Sequence, residues 1–279
     1  MKLLYLFSGL LLLALIALLV LRLIDWRAEQ TEWMRLRTLQ PVDPAKFDPA
    51  MVADLPEPAR RFFLFAIAPA TPLLTVAEID MKGQFSLGSR EEPNYREMEA
   101  QQILAAPHGF VWRMRLHGTI RVSGSDSGRW TRFRILGLLP VVRTGGDPDH
   151  ARSAFGRYVA EAVFWTPAAL LPAPGVVWEE LGRDAARVTV THGELSQAVD
   201  VMVDAGGQPA KVAFLRWSNA NPDNEYRLQP FGGFLSDFRP VQGYRLPFRV
   251  EAGNMFGTEA YHAFYKAEVT SIRFPYAMP

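Results

Sequence analysis

Residues 3–21 carry no charge, and almost all are Leu, Ala, Ile, Val or Phe. As a helix rising ~1.5 Å per residue they span about 28 Å, close to the ~30 Å hydrocarbon core of a bilayer. Lys2 precedes the run, and Arg22, Asp25, Trp26 and Arg27 follow it as a charged stop with an interfacial Trp. The pattern then changes. Trp26, Gln30, Trp33 and Arg37 recur at helical spacing until Pro41, Pro44 and Pro49 break it. Pro56-Glu57-Pro58 opens a short helix over residues 59–68, with Phe62, Phe63 and Phe65 inside and Pro69 and Pro72 beyond. Its only basic residues are Arg60 and Arg61, so the pattern predicts a helix that plugs a core rather than one lying on a membrane.

From residue 77 the period is mostly two. Ala77, Ile79, Met81, Gly83, Phe85 and Leu87 alternate with Glu78, Asp80, Lys82, Gln84 and Ser86, the mark of a half-buried strand. Residues 95–104 form a weaker strand pattern. Phe110, Trp112, Met114 and Leu116 alternate with Val111, Arg113, Arg115 and His117. Strands over 119–123 and 130–135 follow, with the turn-like composition of residues 124–128 read as the turn between them. Asp147 as N-cap and Pro148 in the first turn then open a helix. Ala151, Ala154, Phe155, Tyr158, Val159, Ala162 and Val163 form its apolar stripe, and Thr166-Pro167 ends it. A short apolar segment covers 168–171. Strands resume at 176–181 and 186–191, then in a hairpin of 196–204 and 210–217 around Ala205-Gly206-Gly207-Gln208, and finally at 225–237, 244–251 and 258–273.

The chain therefore reads as mainly β, of the α+β class. About a dozen strands form a large curled antiparallel sheet or half-barrel packed on a central helix at 150–165, preceded by one N-terminal transmembrane helix. The expected divisions are an anchor at 1–24, a juxtamembrane helix and Pro-rich linker at 25–55, and a β-rich globular domain at 56–279.

Composition sharpens this picture. Among 279 residues, 12% are aromatic, including 7 Trp and 18 Phe, which is ample material for a core. A net charge of +1 argues against a nucleic-acid partner. One stretch is locally basic: Arg113, Arg115, Arg121, Arg129, Arg132, Arg134 and Arg143 face a single acid, Asp126. These are either solvated strand arginines or a face for anionic lipid head groups, each worth about 1 kcal/mol near such a surface. Trp130, Arg132 and Arg134 on one face hint at a single-stranded nucleic-acid platform, but a membrane anchor counts against it.

A cleaved signal peptide has an apolar core of ~7–15 residues and a small-residue cleavage site. This run is longer and no such site follows, and with no cysteine in the chain lipid attachment through Cys is excluded. The segment reads as a permanent single-pass anchor in a bacterial inner membrane. Counting Lys and Arg near the span favours a cytoplasmic domain, whereas a two-residue tail with Lys2 is the usual start of an exporting signal anchor. Weighed with the carrier-like pattern described below, the domain is placed on the periplasmic side.

Catalytic motifs are missing. His108, His117, His150, His192 and His262 show no metal-ligand spacing. Asp147-Pro148-Asp149-His150 is explained by helix capping. No G-x-S-x-G elbow or phosphate-binding loop occurs, and no cofactor or metal is called for. Arg157 and Glu161 stand at i, i+4 beside Tyr158 and Trp165. They form either an ordinary solvated pair next to a packed Trp, or a polar contact for a ligand. The expected function is a membrane-anchored binding module for a hydrophobic or lipid-like ligand. Tyr158, Phe164, Trp165, Trp178 and Trp217 would line the pocket, and Arg157 and Glu161 would meet a polar head. The alternatives are a hydrolase-like enzyme using Glu161 with a distant Asp or Tyr, and a structural partner in an envelope complex with an exposed apolar patch.

Three segments carry a resemblance: residues 55–62 (Leu-Pro-Glu-Pro-Ala-Arg-Arg-Phe), residues 136–142 (Leu-Gly-Leu-Leu-Pro-Val-Val), and residues 157–172 with 175–179. Together, over roughly residues 55–217, they resemble an uncharacterised bacterial family, often membrane-anchored, described only as a domain of unknown function. That family reads Trp-Phe-Pro-Thr where this chain has Phe164-Trp165-Thr166-Pro167, and it brings no established activity. The hairpin 199–217, the phrase at residues 237–247 and the closing strand are similar to periplasmic lipoprotein carriers of the LolA type. That resemblance implies a half-barrel curled around helices that holds acyl chains.

Overall fold

In the computed structural model, which describes residues 1–275, the period-two segments pair into one antiparallel sheet of thirteen strands. The last four residues of the expected 56–279 domain lie outside the described residues. The chain opens with α1 (Lys2–Arg37) and α2 (Glu57–Ala66), followed by β1 (Ala77–Ser86), β2 (Tyr95–Ala105), β3 (Gly109–Leu116), β4 (Val122–Ser127), β5 (Thr131–Ile135) and β6 (Leu139–Thr144). After α3 (Pro148–Trp165) come β7 (Val176–Gly182), β8 (Ala185–His192), β9 (Leu195–Val203), β10 (Pro209–Ser218), β11 (Arg227–Val241), β12 (Tyr244–Asn254) and β13 (His262–Arg273).

Every strand pairs with its sequence neighbour except at the centre, where β1 pairs with β13, so β6 and β7 form the two edges. The chain leaves the sheet at one edge and re-enters at the other. The connecting segment, α3, crosses the concave face and packs on β9, β10, β2 and β3. Register shifts at Asp80/Met81, Phe133/Arg134 and Ala252/Asn254 are the bulges that help the sheet curl. At Gly233 of β11 a side chain is excluded, because a Cβ would stand 1.9 Å from the Glu251 carbonyl oxygen on β12.

Alternation decides the faces as expected. Ala77, Ile79 and Met81 are buried on the concave side. α2 plugs the core: Phe62 and Phe63 are buried, with ring centroids 5.8 and 5.4 Å from that of Trp178. Asp147 caps α3 by accepting from the His150 N–H.

Three expectations need correction. Residues 124–128 are not a turn, because Gly124 to Ser127 belong to β4, pairing with β3 throughout and with β5 as far as Asp126. Their polar side chains have local partners, such as the Ser125 hydroxyl, which accepts from the Trp130 indole at 3.1 Å. A strand was missed at β6, whose residues are all exposed. The juxtamembrane helix is no separate element, since α1 continues unbroken to Arg37.

The reason for that continuity is docking. The C-terminal half of α1 lies on the convex face, where Trp33, Leu36 and Leu39 cover Val76, Ile103, Ala105 and Val111. Arg113 pairs with Glu29 at 2.6 Å and stacks on Trp33 at 4.1 Å. Asp25, 5% exposed, is gripped by Arg132 at 2.9 Å, Arg143 at 2.5 Å and Arg134. Four arginines of the basic stretch 113–143, Arg113, Arg132, Arg134 and Arg143, thus hold a helix on the convex face, while Arg115, Arg121 and Arg129 are exposed. Among the described residues, α1 is the one helix long and apolar enough to cross a membrane, and its apolar window is wholly exposed.

Asp25→Ala leaves three arginines facing one another beneath α1. We expect a loss of about 3 kcal/mol, the low end for breaking a buried pair because Arg143 is partly exposed. Hydrogen exchange at β5 and β6 amides should then accelerate by about two decades, and unchanged exchange would show that Asp25 does not secure the contact.

Candidate functional site

α3 does not fill the concave face. Between the helix and the sheet lies a cavity of about 580 Å³, within the ~300–1,000 Å³ usual for small-molecule sites. Its walls are apolar over most of their area: Trp112 and Met114 from β3, Phe133 from β5, Phe214 from β10, Leu235 from β11 and Val250 from β12. Leu87, Val141 and Val142 also line it and are well exposed, so they mark where it opens.

Four side chains form a charged wall: Arg157 and Glu161 of α3, Asp126 of β4 and Arg216 of β10. Arg157 donates Nε to Glu161 Oε1 at 2.8 Å, Nη1 to Asp126 Oδ2 at 2.7 Å and Nη2 to Gln102 Oε1 at 3.3 Å. Its guanidinium lies 4.6 Å from the Phe110 ring centre and 4.9 Å from that of Trp112. Burial alone would lower the Arg157 pKa, but Glu161 and Asp126 overturn that and hold it raised, so the cation persists. Glu161 accepts from Gln102 Nε2 at 2.5 Å as well. Asp126 accepts from the Thr131 hydroxyl at 2.6 Å and the Ser127 N–H at 3.0 Å. Both carboxylates are thus occupied by donors, an arrangement that fixes α3 against β2 and β4 and suits positioning better than proton transfer. Tyr265, next to Glu161, is held protonated by burial first and the carboxylate second.

Of the seven residues singled out in the sequence, Arg157, Glu161, Phe164 and Trp165 line this cavity. Three stand elsewhere. The Tyr158 hydroxyl points to the Pro107 carbonyl at 3.4 Å. Trp178 sits by α2 and donates to the Leu170 carbonyl at 2.9 Å. Trp217 donates to Asp149 Oδ1 at 2.8 Å and stacks on Tyr226. Sequence reasoning missed Asp126 and Arg216. Asp126 was hidden in an apparent turn. Arg216 carried a usable signal, since it continues the apolar face of Val212 and Phe214 along β10. Among the described residues no group of three or more His, Cys, Asp or Glu could hold a metal ion.

The family profile described as "Family of unknown function (DUF6544)" matches residues 45–266. The chain belongs to this family. In this DUF6544 chain the match covers α2, α3 and the sheet up to β13, leaving α1 outside it. All three motif segments that carried the family resemblance lie inside the matched region. No curated protein matches the chain. Similar solved structures include a LolA superfamily protein from Nitrosomonas europaea, at 9% identity and TM-score 0.41, covering 78% of this chain and 92% of that one. A putative outer membrane lipoprotein-sorting protein domain from Vibrio parahaemolyticus has 12% identity and TM-score 0.36, covering 73% and 87%. A DUF1329 family protein from Desulfovibrio piger has 10% identity and TM-score 0.40, covering 84% and 96%.

Arg216 differs from Arg157 in having no carboxylate of its own. Burial first, and the neighbouring Arg157 second, push its pKa down to about 10 against the opposing pull of Asp126 and Glu161. A cation whose folded pKa lies below its unfolded value costs stability at every pH below about 10, and the cost fades as pH rises towards 12.5. Arg216→Met should therefore stabilise the ligand-free protein at neutral pH by on the order of 1 kcal/mol after solvent screening. A fall in Tm would contradict this account of the wall.

Proposed function

We propose that this chain is a membrane-anchored binding protein for a hydrophobic, lipid-like ligand held between the concave sheet and α3. The observation that carries the reading is the open cavity of about 580 Å³, walled by aromatic and aliphatic side chains with its polar groups confined to one wall. Soluble interiors are normally close-packed, and voids larger than a few waters are rare. An apolar cavity of this size inside an otherwise continuous core is a site rather than a packing fault.

α1 supplies the setting. Residues 3–21 would span the inner membrane, with Lys2 as the cytoplasmic flank and the sheet on the extracytoplasmic side. The grip on Asp25 would then keep the sheet within a few ångström of the bilayer, where apolar ligands are concentrated.

Full-length protein extracted in a mild detergent should carry a bound amphiphile visible by native mass spectrometry. Ala160, buried on α3 and facing the cavity, gives a discriminating variant. Ala160→Phe should abolish co-purification while changing stability by less than about 1 kcal/mol, because the ring enters open volume; in a filled core such overpacking costs ~1–3 kcal/mol. A severe loss of stability, or wild-type protein that carries and takes up no amphiphile, would overturn the proposal.

A further inference from the structure

We infer that Arg216 is the head-group site of the cavity, and that the ligand class is an amphiphile whose apolar chain ends in an oxyanion, either a carboxylate or a phosphate monoester. The inference rests on the binding function proposed above and specifies its chemistry. Arg216 sits on the concave face of β10 after Val212 and Phe214, with its guanidinium 5.0 Å from the Phe231 ring centre. Its buried Nε has no hydrogen-bond partner among the described residues. The two carboxylates within its field are already engaged by Arg157. Two other cavity-lining residues, Trp112 and Trp165, are 4% and 1% exposed, and each holds an indole N–H without a partner.

The wall therefore holds one cation, Arg216, without a carboxylate of its own, while Glu161 and Asp126 already accept from Arg157. A hydroxyl can accept from Arg216 but brings no charge to it, and an ammonium beside it is repelled. A carboxylate or phosphate offers only acceptors, takes the planar guanidinium side on, and gains most where water is excluded.

The test uses the full chain in detergent micelles at a pH that ionises the acid, with displacement of a fluorescent long-chain fatty acid as readout. Competitors are a fatty acid, the alcohol of the same chain length and the corresponding monoalkyl phosphate. The acid or the phosphate should compete at least about tenfold better than the alcohol, and the better of the two names the oxyanion. Arg216→Met should erase most of that advantage and weaken alcohol binding far less, while Arg216→Lys keeps part of it. Equal binding of all three by the wild type, or equal weakening of all three by Arg216→Met, would overturn the head-group site. If the folded protein binds neither chain, the binding function falls with it.

A different observation concerns the outer surface. The geometry points to the β5–β6 hairpin as a second membrane contact, seated in the interface of the bilayer that carries α1. Arg22, the first charge after the apolar run, donates Nη1 to the Gly137 carbonyl at the hairpin tip at 2.7 Å. Asp25, about one turn further along α1, is gripped by arginines on both hairpin strands. The tip is thereby held at the level where the span meets the head groups. Around it Leu136 is 67% exposed, Leu139 48% and Val141 50%, apolar side chains beside the loop that Arg22 contacts. Val141 and Val142 also line the cavity opening, which would let a ligand pass from bilayer to cavity without crossing bulk water.

This inference rests on α1 being the anchor. The chain has no cysteine, so single Cys variants in lipid nanodiscs can each carry one polarity-sensitive label. Labels at Leu13→Cys and Leu139→Cys should both be quenched by nitroxide lipids, and one at Gln208→Cys should not. An unquenched label at 139 with a quenched one at 13 overturns the hairpin contact alone, whereas an unquenched label at 13 overturns the anchor itself.

Discussion

One helix must cover a concave face built by thirteen strands, and it cannot. α3 has 18 residues, about 27 Å of length at ~1.5 Å each, and the topology draws it across from the β6 edge to the β7 edge. Packed mainly on β9 and β10, it leaves the part of the concave face made by β5 and β11 without a helix against it. α2 closes the far side with Phe62 and Phe63. The cavity is therefore a product of strand order and helix length together, and no single residue creates it.

Charge fixes both faces of this sheet. Inside, one arginine, Arg157, is held by two acids; outside, one acid, Asp25, is held by three arginines. Buried ion sets are weak contributors to net stability, because desolvation offsets most of the attraction, but breaking them is costly. Their effect is to specify position. Arg157 fixes the rotation and height of α3 against β2 and β4, and hence which helix residues face the open volume. Asp25 fixes α1 against β5 and β6, and hence where the sheet stands relative to the apolar run. Between them they link the end of the apolar run of α1 to the wall of the cavity through β4 and β5, neighbouring strands of one sheet.

The alternation of β1, the capped start of α3 and the hairpin of β9 and β10 were legible in the sequence, because local periodicity and turn chemistry decide them. Residues 124–128 misled for a physical reason: Gly and Ser weaken strand preference, but pairing on both sides imposes the strand regardless. The strand β6 has no buried face, and its apolar residues Leu139, Val141 and Val142 do not alternate with polar ones, so no period of two announces it. The arginines at 132, 134 and 143 could be seen as a cluster but not explained, since their partner Asp25 stands more than a hundred residues away in the chain. Of the cavity lining, the part from α3 was legible in Arg157, Glu161, Phe164 and Trp165. The other aromatic residues singled out in the sequence stand away from the cavity, because size and hydrophobicity mark a buried ring without saying which part of a large core it enters. Tyr158 and Trp178 are core residues, and Trp217 stacks beyond the cavity.

Arg216 is the place where local rules and the fold disagree. An arginine on the apolar face of a strand, without a counter-ion of its own, is a feature that stability alone would remove. Its position also constrains how an amphiphile would lie. The residues that mark the opening, Leu87, Val141 and Val142, are all apolar, whereas the charged wall is made by β4, α3 and β10. An oxyanion entering head first must shed water at an apolar threshold before any donor repays the cost. That barrier applies equally on the way out, so both entry and release would be slow compared with an open groove. A threshold seated in a bilayer lowers the cost for the chain but not for the head. Discrimination among ligands would then fall on the one end that Arg216 can read.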